Sequence, residues 1–73
     1  DVAEQVMKAR LALLDTSAVS WTEAARAASD LSHGDIVRAC EQAAKNAILS
    51  HRDAIDTATL VEALADRRAA HAT

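Results

Sequence analysis

Two Ser-x-x-acid sequences, each leading into an alanine-rich run, constrain the fold of this chain most strongly. Ser20–Glu23 (SWTE) precedes one run, and Ser32–Asp35 (SHGD) precedes the next. In such a capping box the serine hydroxyl accepts a hydrogen bond from the amide three residues later, while the acid reaches back to the serine amide. The sequence therefore predicts one helix over about residues 20–30 and another over about residues 33–51.

Apolar periodicity predicts two further helices, over about residues 2–14 and 57–69, the second capped by Asp56. The inward positions of the first are Val2, Val6, Ala9 and Leu13, broadened by Met7, Leu11 and Leu14, and those of the last are Leu60, Val61, Leu64 and Ala65. The chain has no proline, one glycine and a single aromatic residue, Trp21, which is expected to close one end of the bundle. We expect an all-α, compact four-helix domain over residues 1–73, with no strand.

Composition argues against several classes of function. The net charge of −3 and the lack of a basic cluster beyond Arg67-Arg68 do not favour a nucleic-acid partner. No apolar stretch approaches the roughly 20 residues that span a bilayer. The single cysteine, Cys40, excludes an internal disulfide and fits a cytoplasmic protein. The three histidines lie too far apart for a metal motif, and the acids are scattered as on a solvated helix face, so neither a metal nor a catalytic acid pair is expected.

The start of the third helix is the most informative segment for function. A helix N-terminus presents free amides that suit an electronegative ligand group. Gly34 leaves the backbone of the first turn uncovered, so another molecule can approach it closely. A packing contact alone would also explain this glycine. The candidate binding residues are Ser32, His33 and Gly34.

The run Ala24–Ile36 (AARAASDLSHGDI) resembles the signature of the small helical lid domain of AAA ATPases. The long helix of that domain is similar to Ala39–Ile48, and its ending is similar to Ile55-Asp56 and Leu60–Leu64. The resemblance covers nearly the whole chain.

This sequence also departs from the family pattern. His33 stands where the family often has Gly, Gly34 where it often has Ala, and Asp30 where it prefers Gly. The arginine used as sensor 2 by some branches has no counterpart at the matching spot. Arg38 lies one turn later and is expected at the surface, paired with Asp35.

The resemblance implies that the chain is part of a larger cytoplasmic ATPase. In that family the lid closes over ATP held by an upstream P-loop domain, and the segment matching Ser32, His33 and Gly34 lies beside the adenine and ribose. Its partners would be that P-loop domain and neighbouring subunits in a ring. Magnesium would be held by the large domain, and the chain alone would be inactive. A start at Asp1 rather than Met fits an excised piece of a longer protein.

Two alternatives come from other classes of protein. The segment from Thr22 to Val37 also resembles a helix-turn-helix, in which Ser32 would begin a DNA-recognition helix. That helix carries Asp35 and Glu41 against only two basic residues, whereas phosphate contact requires positive charge. The second alternative is a plain helical protein-interaction module, which predicts an exposed apolar patch on one helix.

Overall fold

A computed structural model describes residues 2–71 of the chain. Four helices and two short strands follow in the order α1 (Val2–Arg10), β1 (Asp15–Ala18), α2 (Trp21–Ala27), α3 (His33–Leu49), β2 (Ala54–Asp56) and α4 (Thr57–His71). The fold is mostly helical, as the sequence predicts, with a small two-stranded sheet that the sequence does not predict. Over the described residues, none of the helices combines the length and the apolar character needed to cross a membrane.

The first helix is shorter than predicted and faces the core differently. It ends at Arg10, and the Leu14 amide donates to the Leu11 carbonyl at 3.0 Å in the turn that follows. Met7 and Leu11 are buried, but Leu13 is 96% exposed. Val2 and Ala9, also predicted to point inward, are exposed although they lie within the helix. The predicted stripe was therefore wrong: α1 turns the side that carries Met7 to the core, and Leu13 lies beyond the end of the helix.

The two short strands correct the expectation of a purely helical chain. β1 and β2 pair in parallel, with Asp15 opposite Ala54 and Ala18 opposite Asp56. The Ser17 amide donates to Asp15 Oδ1 at 2.9 Å, a local bond that competes with helix formation. Strands of four and three residues are too short to show a period of two, and each needs a partner far away in sequence.

Thr57 joins the sheet to the start of α2. The Ser20 amide donates to Thr57 Oγ1 at 2.7 Å, and this hydroxyl in turn donates to the Ala18 carbonyl at 3.2 Å. Only one of the two hydrogen bonds of the capping box predicted for Ser20–Glu23 is therefore present. The Glu23 amide donates to Ser20 Oγ at 3.5 Å, but Thr57 takes the Ser20 amide that the Glu23 carboxylate was expected to accept.

The core lies where α3 packs against both α1 and α4. Its largest fully buried side chains are Met7, Leu11, Leu60, Leu64 and Cys40. Small buried residues on α3, Ala39 and Ala43, allow the neighbouring helices to approach closely. Ala65, predicted to point inward, is exposed. Trp21 is half-buried and packs against this core, with Lys8 Nζ 5.4 Å from its ring centroid.

The remaining helix ends lie within a few residues of their predicted places. α2 ends at Ala27, α3 at Leu49, and α4 continues to His71. Asp56 caps α4 as predicted, because its Oδ1 accepts the Thr59 amide at 2.9 Å. This hydrogen bond also lowers the pKa of the Asp56 carboxyl.

His51 has a positive φ of 59° just after α3. The Arg52 amide donates to the Ala47 carbonyl at 2.8 Å, and the His51 amide donates to the Ile48 carbonyl at 3.0 Å. These are the two bonds of a Schellman motif, whose left-handed position is most often glycine.

Replacing His51 by glycine is therefore expected to stabilise the protein. Glycine adopts this backbone region without the steric penalty of a side chain, and a gain of about 0.5–1 kcal/mol in the free energy of unfolding is expected. Urea denaturation of the two proteins measures it. His51→Val, with a β-branched side chain, should destabilise the protein. A loss of stability in His51→Gly would contradict this account of the turn.

Candidate functional site

The α2–α3 junction, residues 28–35, carries the three residues predicted to bind a ligand. Ser32 caps α3, since the Asp35 amide donates to Ser32 Oγ at 3.2 Å. The Ser32 hydroxyl donates to Asp35 Oδ2 at 2.9 Å. The hydroxyl that the sequence offers as a ligand contact is thus engaged with Asp35, and it fixes the first turn of α3. The Asp35 carboxylate contacts this hydroxyl, whereas the predicted capping box has it accept the Ser32 amide.

Two adjacent arginines of α4 form ion pairs with acids of this junction. Arg67 Nη2 lies 3.0 Å from Asp35 Oδ1. Arg68 Nη2 donates to Asp30 Oδ1 at 2.6 Å and to the Ala27 carbonyl at 2.8 Å. The acid at Asp30, a departure from the lid pattern, therefore has an ion-pair partner in this chain.

The expected partner of Asp35 needs correction. The sequence pointed to Arg38, one turn later on the same helix, whereas the ion pair described above joins Asp35 to Arg67 of α4. Arg38 is exposed, as expected. Asp35 is buried, so a partner that comes from a packed neighbouring helix suits it better than one on the solvent face.

Ser32, His33 and Gly34 are all exposed. A Cβ placed on Gly34 would meet only Ser32 Oγ, at 4.0 Å, which is ordinary van der Waals contact. The fold itself therefore has room for a side chain at this position. The packing explanation for the glycine, which the sequence left open, receives no support from these contacts.

His33 also lines a small cleft between α1 and the start of α3. The cleft has a volume of about 210 Å³, and its other walls are Val6, Ala9 and Arg10. Sequence reasoning missed these three residues as site candidates, because only the packing of α1 on α3 brings them next to His33. The cleft joins an apolar wall to two nitrogen-bearing side chains.

A larger groove, of about 580 Å³, lies elsewhere between α3 and α4. Its charged lining residues are Arg38, Glu41, Lys45, Asp66 and Arg67. None of the predicted site residues lines it. Because His33 lines the smaller cleft and Ser32 and Gly34 are its neighbours in sequence, we assign the candidate site to the junction and that cleft.

Exposed apolar side chains gather at the opposite end of α3. Ile48 and Leu49, in its last turn, are 61% and 67% exposed. These two neighbouring side chains form a small exposed apolar patch at the C-terminal end of α3.

Cys40 is buried in the core, where its thiol is expected to be unreactive. Burial raises the pKa of its thiol from 9.0 to about 11. Within residues 2–71, no group of three or more His, Cys, Asp or Glu side chains could hold a metal ion.

Cys40 is expected to react slowly with a thiol reagent while the protein is folded. At pH 8 its raised pKa alone lowers the thiolate fraction roughly a hundredfold relative to the unfolded chain. Labelling rates with and without denaturant measure this effect. Because the folded thiol keeps its proton to higher pH, the contribution of Cys40 to stability should be constant below about pH 9 and fall as the pH rises towards 11. Equal labelling rates in both states would contradict this burial.

Comparisons of the chain with models of protein families, with curated proteins and with solved structures found no match.

Proposed function

We propose that this chain is the lid of an AAA-type ATPase. In this proposal it closes over the adenine side of ATP bound to a P-loop domain upstream in the same polypeptide, and it couples hydrolysis to movement between subunits of a ring. The proposal rests on the sequence resemblance and on the form of the α2–α3 junction.

The observation that carries the proposal is the open first turn of α3. Gly34 is exposed, and its place in the fold would accommodate a side chain. Glycine costs up to about 1 kcal/mol relative to alanine inside a helix. A second molecule that approaches the backbone at this point explains why the glycine is present despite that cost.

The neighbouring cleft supports an adenine as that second molecule. Adenine presents apolar faces and polar edges, and ligand sites commonly combine an apolar wall with a few polar groups. Val6 and Ala9 supply the wall, while Arg10 and His33 supply the polar groups. The cleft is too small to enclose a nucleotide alone, so the rest of the site must come from the proposed large domain.

The phosphate chemistry is assigned to other parts of the proposed protein. Phosphoryl transfer requires a glycine-rich or Walker-type phosphate loop and acids that hold magnesium. This chain has a single glycine, so it has no such loop. The chain alone is expected to show no ATPase turnover, and magnesium would be bound by the upstream domain.

The test uses the polypeptide that contains both the upstream P-loop domain and this lid. Gly34→Leu places a bulky side chain at the open turn and is expected to weaken ATP binding about tenfold, which corresponds to 1.4 kcal/mol. Gln42→Leu, on an exposed position two turns later in α3, serves as the matched control and should bind ATP normally. Equal affinities of the two variants would overturn the proposal. Gly34→Ala in the 73-residue chain checks the folding assumption, since its stability should be unchanged or slightly raised.

A contact with another protein is the second candidate function, and Ile48 and Leu49 favour it. Lids of this type also contact neighbouring subunits, so this surface is compatible with the first proposal. Ile48→Asp should weaken ring assembly of the complete ATPase without changing its affinity for ATP. Unchanged assembly would remove this surface from consideration.

DNA binding gains no comparable support. The exposed face of α3 carries Arg38 and Lys45 but also Glu41. An electrophoretic shift with random duplex DNA at low salt is expected to show no complex, and salt-sensitive binding would revive the helix-turn-helix alternative.

A further inference from the structure

Arg67 and Arg68 are neighbours on α4, yet they bind opposite sides of the α2–α3 junction. Arg67 reaches the first turn of α3 through Asp35. Arg68 reaches the end of α2 through the Ala27 carbonyl, and the turn after it through Asp30. We call this set of contacts the arginine clamp.

Helix geometry explains how one short segment reaches both sides. Successive residues of an α-helix point about 100° apart, because one turn contains 3.6 residues. Arg67 and Arg68 can therefore bind two different helices only where α4 lies between them. α4 packs against both α2 and α3, as this arrangement requires. A rotation of α4 about its axis, or a shift along it, would disturb both contacts together.

The two contacts differ in strength. The Arg67–Asp35 pair is largely shielded, with side chains 29% and 11% exposed. The Arg68–Asp30 pair lies in solvent, where ion pairs contribute little and are screened by salt. Arg68 also binds a carbonyl at the C-terminus of α2, where a cation is favoured by the helix dipole. The contact of the clamp with α3 is thus the stronger one, and its contact with α2 is weaker and more sensitive to salt.

We infer that the arginine clamp makes the C-terminal part of α4 a control element for the junction, so that a displacement of α4 changes the position of Ser32, His33 and Gly34. These three residues lie between the two clamped acids, Asp30 and Asp35. The inference deepens the proposed function where it concerns the nucleotide, and in that part it rests on that function. The mechanical link between α4 and the junction does not depend on it.

Amide hydrogen exchange of the 73-residue chain tests the link. Three amides report on the junction. The Leu31 amide donates to the Ala28 carbonyl, the Asp35 amide to Ser32 Oγ, and the Ile36 amide to the Ser32 carbonyl. Arg68→Gln changes an exposed side chain and leaves the core intact. It should speed exchange at Leu31 about two- to fivefold, as the loss of an exposed ion pair allows.

The decisive result is the exchange rate of the Asp35 and Ile36 amides, which lie on the α3 side of the junction. If α4 links its two sides, Arg68→Gln also speeds exchange at Asp35 and Ile36, and 0.5 M salt reduces the difference from the unmodified chain. Arg38→Gln, which removes a positive charge one turn after Asp35, should leave all three amides unchanged. An effect of Arg68→Gln confined to Leu31 would show two independent ion pairs and overturn the inference. An equal increase at core amides of α1 would show general destabilisation and overturn it as well.

The nucleotide part has a separate readout. In the polypeptide with the P-loop domain, Arg68→Gln should weaken ATP binding about two- to fivefold, in line with the change in exchange at the junction. Normal ATP binding by that variant, together with altered exchange, would overturn the nucleotide part and leave the mechanical link standing. No ATP binding by the unmodified polypeptide would instead reject the proposed function.

Discussion

Replacing Leu64 by alanine is expected to lower the free energy of unfolding by about 2–5 kcal/mol, the largest effect of a single substitution that we predict. Leu64 is fully buried in the core, on the face of α4 that also carries Leu60. The change removes apolar contacts and leaves a cavity that neighbouring helices cannot close completely. A domain of this size has a total stability of about 4–11 kcal/mol, so a large unfolded population is expected on modest heating.

Leu13→Ala is the matched control for that substitution. It removes the same atoms from a side chain that is 96% exposed, so a change within about 0.5 kcal/mol is expected. Urea denaturation followed by circular dichroism measures both variants. Similar losses in the two would contradict the burial described here and would instead fit the sequence-based stripe, in which Leu13 faces the core.

Asp35→Asn is expected to have the second largest effect, a loss of about 2–4 kcal/mol. The substitution removes the charge that faces Arg67 and leaves a partly buried guanidinium without its carboxylate. It also weakens the capping box of α3, because Asp35 Oδ2 accepts the Ser32 hydroxyl. The side chains of this pair are 11% and 29% exposed, so the loss should be smaller than for a fully buried pair.

Asp66→Asn provides the control, since Asp66 is an exposed acid beside Arg67 on α4. It should change stability by less than about 0.5 kcal/mol. The effect of Asp35→Asn should also persist at high salt, because a shielded pair is screened less than an exposed one. Equal effects of the two substitutions would show that the Arg67–Asp35 pair contributes no more than a surface contact.

Local sequence signals predicted the parts of the fold that depend on neighbouring residues. The caps at Ser32 and Asp56 both accept the expected amides, and α3 and α4 begin where these caps place them. The strands and the orientation of α1 could not be predicted in this way. Their positions depend on contacts between segments far apart in sequence, such as the Asp15 amide with the Asp53 carbonyl at 2.8 Å.

In the candidate site as well, features that depend on neighbouring residues were predicted, whereas contacts between helices were missed. The exposure of Gly34 agrees with a turn that another molecule can approach, and that expectation came from the residue type and its place after a cap. The ion pair between Asp35 and Arg67 was missed, because an i,i+3 partner on the same helix is easier to find in a sequence than one from a packed neighbour. Arg10 was missed as a site residue for a similar reason, because only the packing of α1 on α3 brings it beside His33.

Sequencing the coding region upstream of Asp1 tests the central proposal most directly. An AAA lid requires a P-loop domain before it in the same reading frame. We therefore predict a G-x-x-x-x-G-K-[ST] sequence about 150–200 residues upstream, a distance set by the size of one domain. A reading frame that starts close to Asp1, or a long upstream region without this phosphate-binding sequence, would contradict the proposal.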